Sequence, residues 1–116
     1  MSKLPVLKKN NEFHRVYAKG RYAASGSLVI YVLPNRSGGT RFGITTSKKV
    51  GNSVQRNRMR RLIRENIRFL KERLTKGLDI IVVARKADKA SNFESIGKEM
   101  RYLLKKLDIL SRENDD

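Results

Sequence analysis

The sequence predicts one α+β domain, and three observations carry that prediction. A chain of 116 residues has room for one hydrophobic core and no second module. Its apolar residues change period along the chain, from helical spacing to short aliphatic runs and back, with turn residues between them. The order of those segments is helix, strand, strand, helix, strand, helix, which combines a hairpin with a helical crossover. No internal repeat, low-complexity stretch or linker interrupts it. Residues 1–116 therefore read as a single domain, with flexible ends at about 1–8 and 110–116.

The first element is a short helix. Asn11 can cap it, Phe13, Val16 and Tyr17 fall at i, i+3 and i+4, and Gly20 can end it. From Ser27 to Leu33 the β-branched and aromatic content favours a strand, with Val29, Tyr31 and Leu33 on one face and Leu28, Ile30 and Val32 on the other. The turn residues of Pro34 to Gly39 then lead into a second extended run, Thr40 to Ser47, and the two runs read as an antiparallel hairpin. A long helix is expected from about Val54 to Leu74, with Met59, Leu62, Ile63, Ile67, Leu70 and Leu74 on its apolar side. After Gly77, the aliphatic run Leu78 to Arg85 joins the sheet as the second strand of a βαβ unit. Ser91-Asn92-Phe93-Glu94 matches a capping box. Phe93, Ile96, Met100, Leu103, Leu104 and Leu107 continue it into a closing amphipathic helix. The tail, Ser111 to Asp116, is polar.

Composition narrows the function classes. With 39% hydrophobic residues the chain is a folded domain rather than a disordered polycation. Its 27 Lys and Arg against 11 Asp and Glu leave a net charge of +16, which calls for a polyanionic partner, nucleic acid first. No apolar run reaches the roughly 20 residues that span a bilayer, and no membrane partner is expected. Met1 to Lys9 lacks the apolar stretch of a secretory signal, so a cytoplasmic location is expected. The absence of cysteine removes disulfides, zinc–thiolate sites and thiolate catalysis.

The charge is concentrated. Between Lys48 and Arg73 there are ten basic residues against only Glu65 and Glu72. Arg56, Asn57, Arg60, Arg61, Arg64, Arg68 and Lys71 gather opposite the apolar face, with Arg58 also in the run. A solvated helical face is the ordinary reading of such a run. Here, however, like charges at i, i+4 (Arg56, Arg60, Arg64, Arg68) each cost an isolated helix about 0.2–0.5 kcal/mol, so repulsion kept in place implies a partner that neutralises it. Arginine outnumbers lysine within the helix, and its planar fork suits phosphates and bases, so a structured RNA is expected. Lys48 and Lys49, followed by Gly51, Asn52 and Ser53, would set a phosphate seat at the helix start, with Gly51 allowing close approach. Asn57 would read a base edge or sugar hydroxyl, although its place near the helix start is an equally good reason for it.

The run Ser47-Lys48-Lys49-Val50-Gly51-Asn52-Ser53-Val54-Gln55-Arg56-Asn57-Arg58-Met59-Arg60-Arg61-Leu62-Ile63-Arg64-Glu65 resembles the signature of the bacterial ribonuclease P protein family. The resemblance extends from Lys8-Lys9-Asn10-Asn11-Glu12-Phe13 through Phe42-Gly43-Ile44 to Ile80–Lys86. Ser53 stands where Ala is usual and Arg60 where Lys is common; both departures keep the charge and the helix. The resemblance implies a ribosomal-protein-like α-β-β-β-α-β-α sandwich with a left-handed βαβ crossover, against the usual handedness. It also implies two RNA surfaces. Lys48, Lys49, Asn52, Arg56, Asn57, Arg58, Arg60, Arg61, Arg64 and Arg68 would face the catalytic ribonuclease P RNA. A cleft with Lys9, Phe13, Tyr17 and Tyr31 would hold the 5′ leader of precursor tRNA. Spacing agrees, since Phe13 and Tyr17 lie one turn apart and a ring–base stack is sequence-tolerant, although core packing is the ordinary alternative for each aromatic.

The protein itself offers little for cutting RNA. Its acids are scattered and His14 is the lone imidazole, which leaves neither a metal cage nor an acid–base pair. The resemblance implies that the RNA subunit performs Mg2+-dependent hydrolysis, with no metal held by the protein and no obligate protein partner. The rival readings are a structural ribosomal protein, with one broad rRNA surface, and a free-standing endoribonuclease, which would cleave alone.

Overall fold

The computed structural model describes residues 4–86 and 91–111. Seven elements follow in order: α1 (Asn10–Lys19), β1 (Arg21–Ala24), β2 (Leu28–Pro34), β3 (Arg41–Thr46), α2 (Ser53–Leu70), β4 (Leu78–Ala84) and α3 (Phe93–Lys106). Short 3₁₀ turns, Lys48–Val50 and Lys71–Arg73, flank α2. This is the α-β-β-β-α-β-α order, a mixed α+β fold.

The four strands form one sheet in the order β1-β2-β4-β3. β4 pairs antiparallel with β2 and parallel with β3, so β3, α2 and β4 make the expected βαβ unit. The hairpin expected between the runs that became β2 and β3 does not exist, because β4 lies between them. The physical reason is burial. β4 (Leu-Asp-Ile-Ile-Val-Val-Ala) is buried on both faces almost throughout and belongs at the centre, whereas β3 is only partly buried and takes an edge. The strand that pairs antiparallel with β2 on its other side is β1, whose four residues, Arg-Tyr-Ala-Ala, carry no β-branched side chain and give no periodic signal.

Helices cover the two faces unequally. α2 and α3 pack on one face, where Leu28, Ile30, Val32, Phe42, Ile80, Val82 and Ala84 meet Met59, Leu62, Ile63, Ile67, Leu70, Ile96, Met100, Leu103 and Leu104 in the main core. On the other face α1 lies across β2 and β4. A smaller cluster of Leu7, Val16 and Ile81 is buried there, while Phe13, Tyr31, Leu33 and Val83 are half-buried around it. Alternation along β2 divides its side chains between these faces as the sequence predicts.

Local chemistry moves some boundaries. α1 begins at Lys9 rather than at an Asn11 cap. Lysine has no side-chain acceptor, so the work passes to Glu12, whose Oε1 accepts the backbone N–H of Lys8 (2.9 Å) and of Lys9 (3.0 Å). α3 is capped by Asn92, whose Oδ1 accepts from Ser95 N at 2.8 Å while Ser95 Oγ accepts from Asn92 N; the Ser91/Glu94 box is displaced by one residue. α2 ends four residues before Leu74, which bridges instead to Leu110. The segment before α1, assigned to a flexible end, is packed from residue 4: Leu4 and Leu7 are buried, and Leu7 N donates to Phe42 O at 2.9 Å. Residues 1–3 and 112–116 of the expected ends lie outside the described residues.

Candidate nucleic-acid interface

The basic face is built on α2 and the turn before it. Asn52 caps α2: its Oδ1 accepts from Gln55 N at 2.9 Å, and Gln55 Oε1 accepts from Asn52 N at 2.8 Å. Gly51 makes room for that exchange. Its φ is +146°, and a Cβ there would come within 1.9 Å of Gln55 Oε1, so only glycine leaves room for the cap. Lys48 and Lys49 stand exposed on the 3₁₀ turn. Arg56 is half-buried and donates to Gly51 O at 2.7 Å, which ties the turn to the helix. Beyond it Val54, Asn57, Arg58, Arg60, Arg61 and Arg64 line one open groove of about 540 Å³. Arg58 also reaches across to donate to Ser91 O at 2.7 Å, and Arg60 donates to Asn57 Oδ1 at 3.2 Å. Among the described residues the ion pairs are those of Arg41, so none of the α2 arginines is neutralised by a carboxylate.

The aromatic residues converge on the opposite side of the sheet from α3. Phe13 and Tyr17 project from α1 with ring centroids 6.5 Å apart, and Tyr17 meets Tyr31 of β2 edge-on at 4.9 Å. Phe13 lies directly over Gly43 of β3, where a Cβ would come within 2.7 Å of the ring, so only glycine lets α1 settle this close to the sheet. Tyr17 keeps 37% of its surface exposed, which separates it from a core residue; Val16 beside it is fully buried. Lys9 is exposed at the start of the same helix and His14 is exposed along it.

An ion-pair network fixes α1 in this position. Arg41 of β3 donates through Nε and Nη2 to both carboxylate oxygens of Asp79 (2.9 and 2.8 Å) and through Nη1 to Glu12 Oε2 at 2.8 Å. Asp79 is 1% exposed and also accepts from Asn35 Nδ2 at 2.8 Å. The backbone amides of Lys9 and Lys8, with Arg41 adding to them, hold the Glu12 carboxyl down at about 2. The hydrogen bond and charge of Asp79, with Glu12 behind it, raise Arg41.

The basic and aromatic surfaces meet. A cavity of about 370 Å³ is lined on one side by Leu4, Val6, Leu7, Phe13, Phe42, Gly43 and Ile44 and on the other by Arg60, Arg64 and Arg68. The cavity joins the aromatic row to the arginines at Phe13, while Tyr17 and Tyr31 lie outside its lining.

The family model for ribonuclease P matches residues 1–108. The chain belongs to the ribonuclease P protein family. Its similarity to curated ribonuclease P protein components is 44% identity with that of Clostridioides difficile over 89% of this chain and 91% of the relative, and 44% with that of Clostridium perfringens over 92% and 91%. Among solved structures, the Staphylococcus aureus RNase P protein superposes with a TM-score of 0.84 at 36% identity, covering 94% of this chain and all of that one. The Thermotoga maritima RNase P protein gives 0.77 at 27%, covering 87% and 96%. Membership decides between the readings that composition left open, in favour of the protein component of an endoribonuclease.

On the aromatic face, Tyr22 gave no signal in the sequence. Tyr22 stands opposite Tyr31 in the β1–β2 register, with its ring 5.5 Å away and inclined by 32°. It lies on β1, the strand without periodic pattern. For metal binding, no three of His, Asp and Glu converge among the described residues, and Glu12 and Asp79 are already taken by Arg41. Among the same residues no helix is long and apolar enough to cross a membrane.

Proposed function

We propose that this chain binds the RNA subunit of ribonuclease P through its α2 face and the 5′ leader of precursor tRNA through its aromatic row, and so assists RNA-catalysed removal of the leader. The observation that carries the reading is the shared cavity, in which Phe13 of the aromatic row and Arg60, Arg64 and Arg68 of the basic face line one space. A protein that must align a substrate strand with a folded RNA needs two such surfaces to adjoin.

Each surface does a different part of the work. Among the described residues the α2 arginines have no carboxylate partner, so their interaction with phosphates displaces counterions rather than breaking ion pairs within the protein. Asn57 and the two lysines of the 3₁₀ turn extend that contact toward the start of α2. Phe13, Tyr17 and Tyr31 present ring faces and edges that accept any base, which suits a leader whose sequence varies between precursors. The network of Glu12, Arg41 and Asp79 keeps α1, and with it two of the three rings, at a fixed distance from the sheet. In this reading the RNA subunit carries the magnesium-dependent hydrolysis, and the protein holds and orients the substrate.

The test is cleavage of a precursor tRNA at low magnesium by protein alone, ribonuclease P RNA alone, and the two together. Activity only, or far more strongly, in the mixture is expected. Cleavage by the protein alone, or no stimulation by folded protein, would overturn the reading.

A further inference from the structure

We propose that Tyr22 is a fourth base-stacking subsite for single-stranded RNA, extending the leader track beyond Tyr31 to the outer edge of the sheet. This rests on the reading of Phe13, Tyr17 and Tyr31 as the leader seat.

Three features of Tyr22 support it. The ring is 65% exposed, so the side chain contributes little to either apolar cluster, and neither cluster includes it. Its strand is anchored by its neighbour instead: Ala23 is buried in the main core on the opposite face, which leaves Tyr22 on the face that carries Tyr31. The two residues are cross-strand partners on one face, with ring centroids 5.5 Å apart and planes inclined by 32°, so Tyr22 adds a ring to the row next to Tyr31. The row then runs Phe13, Tyr17, Tyr31, Tyr22 at successive spacings of 6.5, 4.9 and 5.5 Å.

The row has a direction. Its Phe13 end opens into the cavity lined by the α2 arginines, and its Tyr22 end lies on β1, the edge strand farthest from β3. A strand that enters from the RNA-subunit side meets Tyr22 last. A base on Tyr22 is therefore reached only by a leader long enough to have passed Tyr31. Because stacking reads the face of a base and not its edge, the subsite discriminates leaders by length and not by sequence.

The experiment measures the affinity of the reconstituted holoenzyme for precursors carrying leaders of increasing length, and for mature tRNA, with wild-type, Tyr22→Ala, Tyr22→Phe and Tyr17→Ala proteins. Tyr22→Ala is expected to weaken binding about tenfold for long leaders only, while Tyr22→Phe, which keeps the ring, matches wild type. Wild-type affinity of Tyr22→Ala at every length, beside a leader-dependent loss for Tyr17→Ala, rejects the fourth subsite and leaves the leader seat standing. No leader dependence in either variant rejects the seat itself. An equal loss at all lengths and with mature tRNA, accompanied by a lowered melting temperature, makes Tyr22 a structural residue and overturns the proposal.

Discussion

Arg41 joins three parts of the chain through one guanidinium: α1 by Glu12, its own strand β3, and β4 by Asp79. None of this was legible in the sequence, because partners separated by 29 and 38 residues meet only once β4 has entered the sheet beside β3. The network has a pH signature. Glu12 titrates at about 2 in the fold against 4.5 as its ordinary value, chiefly because it accepts two backbone amides. A depressed carboxyl stabilises the fold fully above its unfolded value and loses that contribution as pH falls through its folded one. The stability difference between wild type and Glu12→Gln is therefore expected to be largest at neutral pH and to shrink from about pH 4.5 toward 2. Urea unfolding at stepped pH measures it, and a difference that stays constant over that range would contradict the assignment. Phe13, Tyr17 and Tyr31, by contrast, were legible as candidates from helical spacing and strand alternation together with the family resemblance, and the structure places their rings side by side.

At the scale of elements, α2 shows how much periodicity can determine. Met59, Leu62, Ile63, Ile67 and Leu70 are buried on its apolar side as assigned, since a 3.6-residue repeat fixes the buried face without knowledge of what covers it, and Leu74 is buried beyond the helix end. Its other face keeps like charges one turn apart. Replacing Arg60 and Arg64 with Ala should leave the helix intact, relieving about 0.2–0.5 kcal/mol of repulsion per pair, while weakening binding to the RNA subunit. The slope of affinity against salt should fall by roughly one counterion for each phosphate that the variant no longer neutralises. An unchanged slope would place the RNA-binding face elsewhere. Strand pairing was less legible. Proximity in sequence favoured a hairpin between β2 and β3, yet the unbroken aliphatic run of β4 was itself the mark of a strand buried on both faces, and such a strand belongs in the centre. β1 gave no such mark, being held by its pairing with β2 and by Ala23 alone on the core side.

For the whole molecule, a net charge of +16 sits on a body of 38 × 36 × 29 Å. That charge made a polyanion legible as the partner, and the arginine-rich signature made the family legible. What composition could not supply was the relation between the two surfaces, which depends on α1 crossing the sheet beside β3 and opening a cavity toward α2. Under the proposed function, that adjoining arrangement would let the protein guide a strand held by its bases alongside an RNA held by its phosphates. The most direct test compares wild-type and Tyr17→Ala holoenzymes for affinity to a precursor tRNA with its 5′ leader and to the mature tRNA without it. Loss of about 1–3 kcal/mol of binding to the precursor, with mature tRNA bound as before, is the result expected if the aromatic row seats the leader. Equal affinities of the two holoenzymes for the precursor, or equal losses for both substrates, would contradict it.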